Sequence, residues 1–331
     1  MINAAIVGLG WWGRQIVNCL RQSEKIRIVQ AVDANPDAAA GFVAENGLPL
    51  ATALDDVLPE AALDAVILAT PHSMHEAQVI AAAGAGKHVF CEKPLTLTRA
   101  GAARAIAACE GAGVALGVGH ERRYEPAMVE IKRLIDSGAL GTIMHAESNF
   151  SHDKLANVPA GDWRASPIDA PAAGMTSMGI HLTDAYINML GPVKEVFAQT
   201  AQRVVASESG DIASVQLRFE SGATGYFSAI LVTPLFLRYQ VFGSDAWVEA
   251  RDTAHPDSHG VTHLTILRNN GEQETRTFDS IDTVRANLEA FADAAAHGTP
   301  YPIPTAQKLH NIATLEAICK SVETGKPVAV A

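Results

Sequence analysis

Two hydrophobic patterns alternate along the first 120 residues of the chain. Short apolar runs rich in β-branched residues are each followed by an Ala-rich segment with helical spacing. The runs predict strands at Ala4–Val7, Ile26–Val32, Ala65–Ala69, His88–Cys91 and Val114–Val118. The segments between them predict helices near Arg14–Gln22, Pro36–Glu45, Ser73–Ala83 and Arg99–Gly111. Strands that alternate with helices predict a parallel sheet covered on both faces.

After Tyr124-Glu125-Pro126 the pattern changes. One more amphipathic helix, Ala127–Ser137, precedes a strand-rich half in which runs such as Val215–Phe219 and Thr265–Arg268 alternate apolar with polar residues. Hairpin turns such as Ser221-Gly222 and Asn269-Asn270-Gly271 separate these strands, which predicts an antiparallel sheet with one buried face.

Two helices, Val284–His297 and Thr305–Thr324, close the chain, and Gly325-Lys326-Pro327 ends the second. We therefore expect an α/β protein with two domains. A doubly wound parallel sheet of the Rossmann type occupies residues 1–122, and an α+β domain with a large, mostly antiparallel sheet occupies residues 123–331.

Composition narrows the class of protein. A hydrophobic content of 48% with 18% charged residues over 331 residues is typical of a packed globular chain. The formal charge of -11 and the lack of a Lys/Arg cluster disfavour nucleic-acid and lipid partners. The first residues lack a basic signal-peptide region, and no apolar run reaches the ~20 residues that span a bilayer, so we expect a cytoplasmic protein. Four scattered cysteines, none in a CxxC pair, are expected to be free buried thiols.

A glycine-rich loop follows the first predicted strand and opens the first helix. It consists of Gly8, Leu9, Gly10, Trp11, Trp12 and Gly13. In this context GxGxxG predicts a dinucleotide site: Gly8 permits a tight turn, Gly10 lets the backbone reach a pyrophosphate, and Gly13 allows close packing of helix on strand. The tryptophans are either near the cofactor, as a stacking group or pocket wall, or packing at the strand-helix junction.

Asp33 ends the second predicted strand, about 20 residues after the loop, where a carboxylate accepts hydrogen bonds from ribose hydroxyls. Such a carboxylate repels a 2′-phosphate, and no Arg follows it in the next three residues, so NAD is preferred over NADP. The alternative role for Asp33 is an N-cap of the helix that begins at Pro36, and both roles are compatible.

Glu92-Lys93-Pro94 follows the apolar strand His88–Cys91 and places opposite charges at its carboxyl end, the edge where ligands bind in α/β sheets. Pro94 requires an extended or cis turn, which directs Lys93 into the cleft. A solvated surface pair is the alternative, but a buried strand directly before the charges disfavours it.

Together with Thr70, Pro71 and His75 upstream, these elements make the chain resemble the glucose-fructose oxidoreductase / inositol dehydrogenase / rhizopine-catabolism (Gfo/Idh/MocA) family over nearly its whole length. The resemblance implies an NAD(P)-dependent dehydrogenase that forms a homo-oligomer, a dimer or tetramer. It assigns Lys93 to the reacting carbinol oxygen and the nicotinamide ribose. The residues that it places on the cofactor side are Thr70, Pro71, His72, His75, Glu92 and Lys93.

A candidate for proton transfer lies further along, at His181. The segment 174–184 predicts a helix on which Ser177, His181 and Asp184 share one face. An imidazole, which titrates near ~6.5, accepts an alcohol proton at neutral pH. The family pattern has an aspartate four residues before the histidine, and Ser177 stands there instead, so the family's constellation is only partly present. We expect Lys93 and His181 to do the acid-base work, Asp184 to orient a neighbour and Ser177 to touch substrate; a structural core histidine is the alternative.

Other residues are weaker candidates for the substrate site. Family resemblance favours Arg123 and Tyr124, which follow the last strand of the first domain, although paired arginines are more often solvated. Trp163 and Arg164 lie in a loop before His181; Arg164 is either a clamp for a substrate carboxylate or hydroxyl pair, or part of an ion pair within the loop. His255, His259 and His263 are interrupted by Pro256 and Gly260, so no metal site is expected.

The leading hypothesis is a dehydrogenase that moves a hydride between a secondary alcohol of a sugar, cyclitol or related hydroxylated ring and nicotinamide. Three alternatives stay open. One is a dehydrogenase of dihydrodiols or carboxylated aromatic-ring compounds, an option that Arg164 and the altered histidine helix keep open. The second is a non-redox enzyme that retains NAD, and the third is an NAD-binding regulator without activity.

Overall fold

The chain forms two compact units. The computed structural model describes residues 1–159, 161–205 and 208–331. The first unit contains Met1–Glu121 and Asp282–Leu309, and the second contains Arg122–Ile281 and His310–Ala331. The sequence predicted a single boundary between residues 122 and 123. In the structure, Asp282–Leu309 belongs to the first unit as well.

Six parallel strands form the sheet of the first unit. They are β1 (Ile2–Val7), β2 (Ile26–Val32), β3 (Leu50–Ala51), β4 (Ala65–Leu68), β5 (His88–Cys91) and β6 (Leu116–Val118). Their order is β3-β2-β1-β4-β5-β6, with every neighbouring pair parallel. All four residues of β4 are buried, as expected of a strand with helices on both faces. The predicted doubly wound sheet is confirmed, and the direction in which successive strands are added to it reverses between β1 and β4.

Four helices connect these strands. They are α1 (Trp11–Leu20), α2 (Pro36–Asn46), α3 (His75–Gly84) and α4 (Arg99–Ala112). Capping residues set the ends of these helices, and α2 is an example. The Asn35 side chain accepts a hydrogen bond from the Ala38 amide, Pro36 occupies the first helical position, and Gly47 ends the helix at φ 62°.

The second unit is built on a nine-stranded sheet. Its strands are β7 (Ile143–Ser151), β8 (Val193–Ala201), β9 (Ile212–Phe219), β10 (Thr224–Ile230), β11 (Phe236–Gly243), β12 (Ala246–Asp252), β13 (Val261–Arg268), β14 (Gln273–Asp279) and β15 (Val328–Ala329). The order is β14-β13-β12-β11-β7-β10-β9-β8-β15, and β7 with β10 is the parallel pair in an otherwise antiparallel sheet. This confirms the predicted α+β domain.

Two helices of the second unit precede and follow β7. They are α5 (Pro126–Asp136) and α6 (Gly179–Leu190). Almost every residue of α6 is buried, and the helix packs against β7 and β10. The helix predicted from residue 174 therefore begins five residues later. Its approach is a short 3-10 turn at Ala173–Met175, entered through left-handed backbone at Ala172 and Ala173.

The last helices are α7 (Thr283–His297) and α8 (Thr305–Thr324). The apolar face of α7 explains its return to the first unit: Phe291 is fully buried, with its ring 5.6 Å from that of Phe90 on β5. The Asn287 amide donates to the Val118 carbonyl at 2.9 Å and so covers the edge strand β6. In the described parts of the chain, no helix has the length and apolarity needed to cross a bilayer.

Candidate active site

The glycine-rich loop connects β1 to α1 and leaves the N-terminus of α1 without a side-chain cap. Gly10 is the N-cap of α1, in extended conformation at φ -62° and ψ -176°, and no side chain caps the first turn. The amides of that turn and the positive end of the helix are the features that bind anionic phosphate. The strand-loop-helix arrangement in which a GxGxxG loop binds a dinucleotide is therefore present, and the binding itself stays a prediction.

The three glycines are required for different reasons. A Cβ on Gly8, whose φ is 92°, would lie 2.6 Å from the Ala69 carbonyl oxygen, and one on Gly13 would lie 1.9 Å from the Gly8 oxygen. A Cβ on Gly10 would meet no protein atom within 4 Å. The fold thus requires glycine at two positions, whereas at Gly10 only a ligand above the loop would exclude a side chain.

Asp33 is tied to the same loop. One carboxylate oxygen accepts a hydrogen bond from the Leu9 amide at 2.7 Å, and the other accepts one from the Asn35 amide at 2.8 Å. The Leu9 amide is therefore committed to Asp33, and the Leu9 side chain is buried in the core. Since Asn35 caps α2, the N-cap alternative for Asp33 is wrong. Each carboxylate oxygen keeps a lone pair for ribose hydroxyls.

The two tryptophans of the loop have different surroundings. Trp12 packs against the hydrophobic core of the first unit, whereas Trp11 is 52% exposed, with the ring centroids 5.3 Å apart. Packing at the strand-helix junction was one of the two roles expected of the tryptophans, and it is the role that the structure shows for Trp12. A place near the cofactor stays a prediction for Trp11.

His75 links two loops at the sheet edge. It is fully buried, with Nδ1 2.8 Å from the Pro94 carbonyl oxygen and Nε2 3.0 Å from the Thr70 carbonyl oxygen. A neutral ring donates to one of these oxygens, and an imidazolium donates to both. His72 lies beside it, also buried, with ring centroids 5.7 Å apart. His75 thus fixes the loop after β4 against the turn after β5.

That turn carries Glu92, Lys93 and Pro94. The Lys93–Pro94 peptide bond is cis, one of the two conformations expected there. Lys93 is partly exposed while Glu92 is buried, so they are not a solvated surface pair. Burial, then the charge of Glu121, raises the pKa of Glu92 to about 8, against the opposing effects of Trp12 and Lys93.

In the second unit, Asp184 on α6 forms a bidentate ion pair with Arg123. Nε donates to Oδ2 at 2.8 Å and Nη2 to Oδ1 at 2.6 Å, with side chains only 7% and 4% exposed. The neighbour that Asp184 was expected to orient is therefore Arg123. Nε and Nη2 of Arg123 are thus bound by a carboxylate of its own chain, and its predicted contact with substrate stays a prediction. Partial burial raises the pKa of the adjacent Tyr124 to about 12.

His181 is buried in the first turns of α6, three residues before Asp184. Ser177 precedes the helix, and its hydroxyl donates to the Gly174 carbonyl at 3.3 Å. The predicted helical face shared by Ser177, His181 and Asp184 is therefore wrong for Ser177. Lys93 belongs to the first unit and His181 to the second, so their joint action on one substrate stays a prediction.

The loop containing Trp163 and Arg164 folds on itself. The Arg164 guanidinium lies 4.2 Å from the centre of the Trp163 ring and 3.4 Å from an Asp162 carboxylate oxygen. Asp162 also caps the short 3-10 helix Trp163–Ala165 by accepting from the Arg164 amide at 2.8 Å. Of the two readings of Arg164, the structure shows the ion pair within the loop.

Sequence reasoning missed a cluster of imidazoles around Phe150 at the end of β7. The rings of His152, His181 and His255 lie 5.5, 6.1 and 5.9 Å from the Phe150 ring. Burial, and then the neighbouring His255, lower the pKa of His152 to about 4. Among the described residues, no group of His, Cys, Asp or Glu is arranged to hold a metal. The available signal was a histidine directly after a strand whose last two residues, Phe150 and Ser151, are buried.

Known proteins match the chain along most of its length. Residues 2–120 match a model described as an oxidoreductase family with an NAD-binding Rossmann fold, and residues 128–249 match the GFO/IDH/MocA C-terminal domain. D-xylose 1-dehydrogenase (NADP(+)) 2 of Haloferax volcanii is 32% identical over 302 residues, 90% of either chain. Inositol 2-dehydrogenase 1 of Saccharopolyspora erythraea is 28% identical over 99% of this chain and 96% of its own. The crystal structure of aldose-aldose oxidoreductase from Caulobacter crescentus, complexed with glycerol, has a TM-score of 0.87 at 25% identity, covering 99% of both chains.

Proposed function

Because the chain belongs to the Gfo/Idh/MocA family of NAD(P)-dependent oxidoreductases, we propose that it moves a hydride between a secondary alcohol and nicotinamide. The proposed substrates are sugars, cyclitols or related hydroxylated rings, the class to which xylose and inositol, the substrates in two relatives' names, belong. The observation that carries the proposal is the open loop at Gly10, two strands away from Lys93 at the same sheet edge.

The residues of the first unit fit a dinucleotide. The loop from Gly8 to Gly13 would hold the diphosphate at the N-terminus of α1, and Asp33 would accept the ribose hydroxyls. A Cβ on Gly10 would meet no protein atom within 4 Å, so the loop leaves room there for the diphosphate. When bound, the nicotinamide supplies the hydride acceptor.

Lys93 and His181 share the remaining chemistry in this proposal. An alcohol that is oxidised to a carbonyl loses a hydride from carbon and a proton from oxygen. The ammonium of Lys93 stabilises the negative charge that develops on that oxygen, and the imidazole of His181 accepts the proton. In the reverse direction, the same two groups polarise the carbonyl and return the proton.

Asp33 supports NAD over NADP. Its carboxylate is held in place by two backbone amides, so a 2′-phosphate would meet a fixed negative charge. The name of the Haloferax volcanii relative specifies NADP(+), so the preference is a property to be measured for this chain.

The testing experiment is nicotinamide absorbance with a panel of pentoses, hexoses, inositols, dihydrodiols and carboxylated ring compounds, each with NAD and with NADP. We expect turnover with a sugar or cyclitol and a higher kcat/KM with NAD. Substrate loss without an absorbance change would point to a non-redox enzyme, and cofactor binding without turnover on any compound to a regulator.

Variants of lysine test the assigned role. Lys93→Met should abolish turnover while the dinucleotide Kd, measured by calorimetry, stays within about threefold. Lys25→Met removes an exposed lysine that pairs with Asp293 and is the matched control, with turnover unchanged. Turnover retained in Lys93→Met would refute the role of Lys93.

We also expect a homo-oligomer, a dimer or tetramer, from the family resemblance. Light scattering measures the assembled mass directly. A mass equal to that of one chain at working concentration would contradict this expectation.

A further inference from the structure

Two imidazoles, those of His152 and His255, lie side by side in the second unit. His152 is buried directly after β7, and His255, whose side chain is 17% exposed, lies in the loop between β12 and β13. Their ring centroids are 4.9 Å apart, and both rings pack on Phe150. The ring of His181, the proposed proton acceptor, packs on the same phenyl ring. The pair therefore lies beside the group to which the proton transfer is assigned.

The backbone fixes the tautomer of His152. Its Nδ1 lies 3.2 Å from the Lys154 amide nitrogen, and an amide N–H only donates, so Nδ1 accepts. Burial, and then the charge of His255, lower the pKa of His152 to about 4, so this ring is neutral at neutral pH. A neutral ring that accepts at Nδ1 carries its proton on Nε2, and Nε2 of His152 is therefore a donor.

A carboxylate fixes the opposite tautomer in His255. Its Nδ1 lies 2.7 Å from Oδ1 of Asp257, a distance at which the nitrogen donates to the oxygen. The Lys154 ammonium also lies 3.1 Å from Nδ1, but Oδ2 of Asp257 accepts its hydrogen bond. Burial raises the pKa of Asp257, but interactions led by the Lys154 hydrogen bond outweigh it and lower the pKa to about 2, so Asp257 is ionised. Burial lowers the pKa of His255, which is therefore neutral, with its proton on Nδ1 and Nε2 as an acceptor.

The two Nε2 atoms are open to a ligand. Within the described parts of the chain, neither atom has a hydrogen-bond partner, and neither is among the polar atoms that are closed off from solvent without one. Two hydrogen bonds of ~2.8 Å each through one oxygen atom span a separation of the size found between the rings. A hydroxyl group satisfies both nitrogens, since it accepts from one and donates to the other. A carbonyl or carboxylate oxygen only accepts, and an ammonium only donates.

We propose that His152 and His255 together bind one hydroxyl group of the substrate ring, His152 as the donor and His255 as the acceptor. Asp257 is the positioning residue that fixes the tautomer of His255. This inference rests on the proposed function, which supplies the hydroxylated ring. The pair would discriminate against rings with a hydrogen, a carbonyl or a carboxylate at that position, because at least one nitrogen would then stay unpaired.

The first test needs no substrate. Long-range proton–nitrogen NMR spectra of the full-length protein, labelled with nitrogen-15 histidine, show which ring nitrogen carries the proton. At neutral pH we expect it on Nε2 of His152 and on Nδ1 of His255, with signals assigned through His152→Phe and His255→Phe. In Asp257→Ala the acceptor is lost while the Lys154 ammonium and the backbone amide of residue 257 still face Nδ1, so the proton of His255 should move to Nε2.

Two further variants keep this test decisive. Asp257→Glu retains a carboxylate and should leave the proton of His255 on Nδ1. Asp279→Ala removes an exposed carboxylate at the end of β14 and should change neither tautomer. Thermal unfolding confirms that each variant is folded. The same tautomer on both wild-type rings, or an unchanged His255 in Asp257→Ala, would overturn the donor–acceptor pair.

The second test adds ring compounds to the labelled protein. D-Xylose and myo-inositol, a pentose and a cyclitol, are titrated separately with NAD present. We expect at least one of them to shift the Nε2 signals of both histidines, and one of its monodeoxy forms to shift neither. Signals that move with neither compound would overturn the hydroxyl-binding role.

The third test joins the pair to turnover, with the ring compound of the panel that has the highest kcat/KM. His255→Phe and removal of the bound hydroxyl should each lower kcat/KM at least about tenfold, and together little more than either alone. His255→Gln keeps an acceptor and should recover part of the loss, whereas His263→Phe, at an exposed position of β13, should change nothing.

The outcomes separate this inference from the proposed function. An unchanged kcat/KM in both His152→Phe and His255→Phe would refute the hydroxyl-binding pair and leave the dehydrogenase proposal intact. Opposite tautomers in a protein without turnover on the whole panel would instead count against the proposed function.

Discussion

The buried ion pair between Arg123 and Asp184 offers a direct test of what fixes α6. Both nitrogens of the guanidinium fork meet both oxygens of the carboxylate, at 2.6 and 2.8 Å. Asp184→Ala removes the carboxylate and leaves the guanidinium in a site where only 7% of the side chain is exposed. We expect a large loss of stability in the second unit.

The size of the loss follows from burial. Removing one partner of a buried, hydrogen-bonded ion pair costs about 3–5 kcal/mol, since the remaining charge stays buried without its counter-ion. The matched control is Asp136→Ala, which breaks the exposed pair with Lys132 on α5, where the aspartate is 57% exposed. An exposed helical pair of this kind contributes less than about 0.5 kcal/mol.

Urea unfolding measures both losses. Because the chain has two units, circular dichroism should be combined with fluorescence, and coincidence of the curves checks whether one transition describes both. Replacing both partners by apolar residues, Arg123→Met with Asp184→Leu, should recover a large part of the loss because no charge stays buried.

The reasoning would be refuted if Asp184→Ala lost no more stability than Asp136→Ala. That result would show that solvent reaches the Arg123 guanidinium. If the double substitution were as unstable as Asp184→Ala, packing would explain the loss better than an unpaired charge.

Three further outcomes are expected. Gly10→Ala should weaken dinucleotide binding at least about tenfold by calorimetry with unfolding unchanged, whereas Gly41→Ala, whose added Cβ also meets no atom, should leave binding unchanged. Gly13→Ala should lower the unfolding temperature, since its Cβ overlaps the Gly8 carbonyl; an unchanged temperature would argue against the close approach. The pKa of Glu92 is raised in the folded state, so the unfolding free energy should fall with rising pH until about pH 8, by on the order of 1 kcal/mol per unit, and Glu92→Gln should flatten that slope in urea titrations at several pH values.

The fold was largely predictable because its signals are local. The strands Ile26–Val32 and His88–Cys91 have the predicted bounds, because both are short runs rich in apolar and β-branched or aromatic residues. The return of α7 to the first unit depends on Phe291 packing under Phe90, a contact between residues about 200 positions apart that no local pattern reveals.

The parts of the site that depend on local backbone geometry were predictable from the sequence. The parts that depend on contacts between distant residues were less predictable. Glycine spacing was enough to predict the loop before α1. Family resemblance favoured Arg123 as a substrate group, and its pairing with Asp184, 61 residues away, is a contact that no local pattern reveals. Ser177 was placed on a helix by spacing, but left-handed backbone at Ala172 and Ala173 delays the helix start to Gly179.

Hydride transfer itself is the central claim, and isotope transfer measures it most directly. A substrate found in the panel would be deuterated at its carbinol carbon and turned over with NAD, and the reduced cofactor analysed by mass spectrometry and NMR. The account predicts one deuterium at nicotinamide C4 for each substrate oxidised, and none in Lys93→Met. Product formed by the wild type without deuterium in the cofactor would contradict it.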